Sequence, residues 1–192
     1  MKPAIYFDLN VLAGDDGGES IPAPILAGAA LDVLHGAFRQ NPGRYALALP
    51  NVLPGKTNAP RRILRVFAGN RDDLDTLVAM IIGHPVIRDY TRIGYPRPVP
   101  TDFQGPWIEY RRYRIPAQKS LRKPDDTLRE RRLQAAKEQG LPYFYARSRS
   151  THQQFVLYVQ AVASQTGSTE CQPDSYGLSV SSRPFSIPQM PA

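Results

Sequence analysis

In the first half of this chain the spacing of apolar residues passes from two to a helical period and back, twice. The order of those periods leaves few folds open. Ile5, Phe7, Leu9 and Val11 alternate with Tyr6, Asp8 and Asn10, which predicts a half-buried strand. Residues 14–20 read as a loop. Pro24 to Gln40 predicts a helix whose inward face carries Leu26, Ala30, Val33, Leu34 and Ala37, and Asn41-Pro42-Gly43 stops it. Tyr45 to Leu49 and Ile63 to Ala68 predict two strands. Asp72 to Ile82 predicts a second helix with Leu74, Leu77, Val78 and Ile81 inward, and Val86 to Ile93 a fourth strand. Strand, helix, strand, strand, helix, strand is the order of a ferredoxin-like βαββαβ domain over residues 1–95. That arrangement serves many functions, so it fixes none.

Residues 96–106 are rich in proline and read as a linker. Beyond it, Trp107 to Ile115 predicts a strand in which Arg and Tyr interleave. Pro124-Asp125 opens a helix over about 125–139, with Asp125 and Asp126 in its first turn and Gly140 at its end. Tyr143 to Arg149, Phe155 to Ala163 and Tyr176 to Val180 predict further strands, and Pro184 to Ala192 an extended tail. The expected class is therefore α+β: a ferredoxin-like domain followed by an antiparallel-strand domain, 107–192, that carries an Arg-rich helix.

That helix has little apolar surface, only Leu128, Leu133, Ala135 and Ala136, so burial stabilises it weakly. Arg129 and Arg132 share one side, and Arg131 turns away. Such a helix is solvated or held by a partner. The chain has 192 residues and a net charge of +7. Ten basic residues fall between Arg111 and Lys137: Arg111, Arg112, Arg114, Lys119, Arg122, Lys123, Arg129, Arg131, Arg132 and Lys137. They face only Asp125, Asp126, Glu130 and, just beyond, Glu138. The concentration points to a polyanion, and Arg suits bidentate phosphate and guanine contacts.

The single cysteine, Cys171, excludes an internal disulfide, and the His and Cys spacings fit no zinc site. No secretory leader or membrane-spanning run is visible, so a cytoplasmic protein without metal or cofactor is expected.

Three groups of residues carry candidate chemistry. His35, in Leu34-His35-Gly36, falls opposite the inward helix face beside Asp32 and Arg39, where an imidazole is free to move protons near neutrality. Ser148, Ser150 and Thr151, in Arg147-Ser148-Arg149-Ser150-Thr151-His152, sit where a strand meets a turn. Hydroxyls there suit a ribose 2′-hydroxyl or a phosphate oxygen, or serve the turn itself. His152, in the turn itself, reads either as an alternative base or, as is commoner for such a residue, as simply exposed, and His84 reads as a helix stop. No acidic cluster fits a two-metal nuclease. RNA supplies its own nucleophile, so a base and in-line geometry suffice to cut it.

Taken together, Leu34-His35, the Arg147 to Thr151 segment followed by Phe155, the basic run with Arg114, Gln118, Lys119 and Ser120, and Tyr176-Gly177-Leu178-Ser179 resemble the CRISPR repeat-processing endoribonuclease of type I-F systems. Ala135 and Ala136 stand where arginines would align, and Gly140-Leu141-Pro142 follows the helix directly, as in a minimal or variant member. The resemblance implies that His35 activates the 2′-hydroxyl, Ser148 holds it, and Tyr176 orients the histidine. It implies that Phe155 stacks at the stem base and that Arg114 and Gln118 read bases nearby. Arg129, Arg131 and Arg132 would follow the stem. Arg111, Arg112, Lys119, Arg122, Lys123, Arg147, Arg149, Ser150 and Thr151 complete the expected RNA-binding set.

The implied reaction cuts repeat RNA on the 3′ side of the hairpin and leaves a 2′,3′-cyclic phosphate. The protein then stays on the CRISPR RNA as a subunit of the Cascade complex, beside the subunit that coats the RNA backbone, and meets target DNA only through that complex. Two other readings stay open: an inactive hairpin-capping subunit on the same fold, and an unrelated basic binding module.

Overall fold

The computed structural model describes residues 1–12, 21–55, 62–116, 127–147 and 153–191. Strand β1 (Ile5–Val11) lies at the centre of the first sheet. It pairs along its length with β3 (Ile63–Ala68), from Ile5 opposite Ala68 to Asn10 opposite Ile63. Its other edge takes β4 (Thr91–Ile93) and the two-residue β5 (Arg97–Pro98), while β2 (Ala46–Ala48) extends the sheet beyond β3. Every pairing is antiparallel and the order is β2–β3–β1–β4.

The alternation in β1 predicts one wet face, but both faces are buried. Phe7 and Leu9 enter the core, and Tyr6 and Asp8 are covered as well. A buried carboxylate is costly unless paired. Asp8 accepts from Arg65 Nε at 2.6 Å and Nη2 at 2.8 Å, and from Arg97 Nη2 at 2.7 Å. Arg65 also donates to the Met190 and Pro191 carbonyls, so the C-terminal tail is tied over this face.

Helix α1 (Ala23–Gln40) presents Leu26, Ala27, Ala30, Leu31, Leu34, Ala37 and Phe38 to the core. Asn70 caps α2 (Arg71–Ile81) by accepting from the Asp73 N–H.

The strand expected over Val86 to Ile93 is a correction. Pro85–Tyr90 form the short helix α3, and only Thr91–Ile93 are strand. The His84 imidazole accepts from the Val86 N–H, Pro85 occupies the first turn, and the Thr91 hydroxyl closes the end on the Ile87 carbonyl. Those local bonds outweigh the strand preference of Val and Ile.

The second sheet is also antiparallel, in the order β7–β8–β6–β9. It comprises β6 (Trp107–Tyr113), β7 (Tyr143–Arg147), β8 (Gln154–Ser164) and β9 (Ile187–Pro188). Its inward face carries Ile108, Tyr110, Phe144, Leu157 and Val159, which join the buried cluster of the first sheet. The buried Tyr110 hydroxyl donates to the Leu49 and Val52 carbonyls, bridging the two sheets. Helix α4 (Leu128–Glu138) lies beside this sheet and buries only Ala136.

Tyr176 to Val180, expected as a strand, is a tight turn followed by an isolated bridge from Ser179 to Arg111. Asp174 accepts from the Tyr176 and Leu178 N–H groups, and Gly177 takes the left-handed φ of 77° that the turn needs. The molecule is thus α+β, with two antiparallel sheets and, among the described residues, four helices. None of those helices is long and apolar enough to cross a membrane.

Candidate active site and RNA interface

Helix α1 has two working faces. Opposite the core face, Gly28, Asp32 and His35 form a stripe at helical spacing. Gly28 lets the helix backbone approach β7 so closely that a Cβ there would collide with the Tyr145 carbonyl. Asp32 accepts from the Arg147 N–H at 3.0 Å, at the end of β7. His35 reaches the 174–177 turn. The expectation of an outer-face histidine is therefore corrected: the side of α1 turned away from the first sheet is where the second half docks, and His35 is half-buried there.

The His35 Nδ1 lies 2.7 Å from the Ser175 carbonyl. A carbonyl only accepts, so the proton sits on Nδ1, and in the neutral ring Nε2 is the unprotonated nitrogen. The Tyr176 ring stacks on the imidazole with centroids 4.0 Å apart and planes 7° from parallel. Tyr176 is itself buried and its turn is pinned, because the Leu47 N–H donates to the Gly177 carbonyl. The imidazole is therefore fixed in position, ring plane and tautomer by groups far from it in sequence.

Arg112 extends this pair toward the basic half. Its guanidinium lies 5.9 Å from the Tyr176 ring centroid and 5.5 Å from that of Phe155. A groove of about 810 Å³ opens beside it, lined by Arg112, Arg114, Arg129, Leu133, Phe155 and Tyr158 among others. Arg129 donates to the Pro116 carbonyl and Arg132 to the Arg114 carbonyl, so each spends one N–H on backbone and retains others. Arg131 is exposed on the other side of α4.

Arg111 differs from its neighbours: it pairs with Glu109 at 2.7 Å, which offsets its charge. Ser179, the last residue of the Tyr-Gly-Leu-Ser motif, is structural. Its hydroxyl donates to Glu109 and accepts from the Phe185 N–H.

Of the residues expected at the site, the structure brings His35 and Tyr176 into contact and sets Arg112 and Phe155 next to them. Arg147 is positioned through Asp32. Ser148, Arg149, Ser150, Thr151, Gln118, Lys119, Arg122 and Lys123 lie outside the described residues. Sequence reasoning did not single out the Ser175 carbonyl as the partner of His35, nor Asp32 as the anchor of Arg147. Asp174-Ser175-Tyr176-Gly177 carried a turn signal that would have pointed to the first. Among the described residues no three His, Cys, Asp or Glu side chains converge as a metal site would require.

With that geometry in view, the comparison with known families is decisive. Residues 6–189 match the family model described as CRISPR-associated protein (Cas_Csy4). The chain belongs to the Cas_Csy4 family. No curated protein matches it. Membership makes this a CRISPR-associated protein of a family that processes repeat RNA.

Proposed function

We propose that this Cas_Csy4 protein is a metal-independent endoribonuclease of a type I-F or variant system. It would bind the hairpin of CRISPR repeat RNA and cut on the 3′ side of the stem. The observation that carries the reading is the His35 imidazole, held with Nδ1 on the Ser175 carbonyl and its face on Tyr176, next to the basic groove.

In the proposed step, Nε2 of His35 takes the proton of the 2′-hydroxyl at the cut site. The 2′-oxygen attacks the adjacent phosphorus, the bond from phosphorus to the 5′-oxygen breaks, and that oxygen collects a proton. The products are a 2′,3′-cyclic phosphate and a 5′-hydroxyl. Ser148, next in the chain after Arg147, is assigned to hold the 2′-hydroxyl, and Tyr176 to position His35. Phe155 with Arg112 is assigned to the stem base. Arg114, Gln118, Lys119, Arg122, Lys123, Arg129, Arg131 and Arg132 are assigned to the stem and its flank, where A-form RNA is read through shape and phosphates.

A base placed by protein contributes about 10²–10⁴-fold to such a step. Tight retention of the product would make the protein a cap on the CRISPR RNA within Cascade, touching the backbone-coating subunit. The test is cleavage of repeat RNA in EDTA by wild type and His35→Ala. Cutting is expected to fall by at least 100-fold while hairpin affinity stays within a few-fold. Hairpin binding with no cutting by wild type would replace the enzyme with a structural cap.

A further inference from the structure

The outer face of the second sheet, opposite the one that carries Phe155 toward His35, holds a row of tyrosines. Cross-strand pairing aligns Tyr143 with Tyr158 and Tyr158 with Tyr113, so one level of β7, β8 and β6 presents three phenol rings on the same face. Tyr145 adds a fourth, edge-on to Tyr143 with centroids 5.6 Å apart, and Tyr143 and Tyr158 are 5.8 Å apart. Tyr145 is 48% exposed, and its cross-strand partner Val156 is also exposed.

Cations bracket the row. Arg132 of α4 sits 5.5 Å from the Tyr113 ring centroid at one end, and Arg147 stands two residues beyond Tyr145 at the other. Burial raises the Tyr158 phenol above its ordinary value, and Tyr143 and Tyr145 raise it further, so that ring stays neutral. The remaining strand residues at these levels are Arg147, Gln154 and Val156, and one acid, Asp32 of α1, lines the same pocket as Tyr145 and Arg147 and accepts from the Arg147 N–H.

An aromatic row that is exposed at Tyr145, part-buried at Tyr143, Tyr158 and Tyr113, and flanked by arginines suits unpaired bases whose phosphates meet the flanking cations. We infer that this face is a stacking platform for the unpaired repeat RNA on the 5′ side of the hairpin stem. The inference rests on the endoribonuclease reading: the strand leaving the stem base on its 3′ side runs to His35 on the inner side of the sheet, while Tyr145 lies outside the groove assigned to the stem, which Tyr113, Val156 and Tyr158 help to line, so the Tyr145 end of the outer face is left to the 5′ strand.

The test measures affinity by fluorescence anisotropy at fixed salt for three RNAs, each with a 2′-deoxy residue at the cut site. They are the bare hairpin, the hairpin with its unpaired 5′ segment, and the hairpin with its unpaired 3′ segment. The 5′ segment is expected to tighten wild-type binding on the order of tenfold. Tyr145→Ala should remove most of that gain and change bare-hairpin affinity less than twofold, while Tyr145→Phe, which keeps the ring, retains it. No gain from the 5′ segment, equal weakening of all three RNAs by Tyr145→Ala, or loss confined to the 3′ segment would overturn the platform. Failure of wild type to bind the bare hairpin would sink the endoribonuclease reading as well, so the two failures are told apart.

Discussion

Helices α1 and α4 sit at opposite ends of the proposed function and are built on opposite principles. Helix α1 is apolar on the side that meets the core and carries small and polar residues, Gly28, Asp32 and His35, on the side that meets the second sheet. Protein surrounds it, and its histidine is fixed. Helix α4 buries only Ala136 and is tied down by arginines that reach backbone carbonyls at Pro116 and Arg114. A group that must meet one atom of a substrate needs a rigid mount. A group that follows a phosphate backbone needs charge and reach, and little else.

The sharpest way to break this contrast is to truncate matched leucines. Leu34 is fully buried in α1, next to His35. Leu34→Ala should cost about 2–5 kcal/mol, as deletion of a buried leucine does. Leu133 in α4 is only partly buried, and Leu133→Ala should cost less than about 1 kcal/mol because less apolar area leaves the interior. Chemical denaturation measures both. Equal losses would mean that α4 is held by packing after all.

A smaller effect is expected from Gly28→Ala. The added methyl would meet the Tyr145 carbonyl, a backbone atom that cannot rotate away. Overpacking of this kind costs about 1–3 kcal/mol. Because Gly28, Asp32 and His35 share one stripe, the shift should reach the imidazole, so cleavage should fall by more than hairpin affinity does. A variant that loses stability but cuts at the wild-type rate would separate the α1–β7 contact from the placement of His35.

This pair of faces also marks how far the sequence could be read. The core side of α1 was legible, since of Leu26, Ala30, Val33, Leu34 and Ala37, which repeat at helical spacing, all but the partly buried Val33 are buried. The other side was legible only as polar. Nothing in the spacing of Gly28, Asp32 and His35 reveals that β7 and the 174–177 turn, more than a hundred residues away, would cover them.

Asp8 makes the same point. Alternation placed it on a wet face, and its burial depends on Arg65, Arg97 and the tail carbonyls of Met190 and Pro191. Val86 to Ile93 failed for a different reason. The residues have strand propensity, yet His84, Pro85 and Thr91 supply a complete set of local helix-terminus bonds. The pairing of His35 with Tyr176 became visible through family resemblance, whereas the Ser175 carbonyl that fixes the tautomer required the structure.

The smallest change in stability with a clear change in function is expected at Arg132. Its side chain donates to the Arg114 carbonyl and lies over Tyr113, both at the surface, so Arg132→Ala should shift stability by no more than about 0.5 kcal/mol. If the arginine also meets a phosphate of the stem, its loss should weaken binding to any hairpin of similar shape. It should also reduce the slope of log affinity against log salt by about 0.7–0.9, the share of one phosphate contact. A titration of repeat hairpin from low to moderate salt reads both quantities. An unchanged slope together with a loss of stability would make Arg132 a clamp on the Arg114 backbone rather than a phosphate ligand, and the division of labour between α1 and α4 would need redrawing.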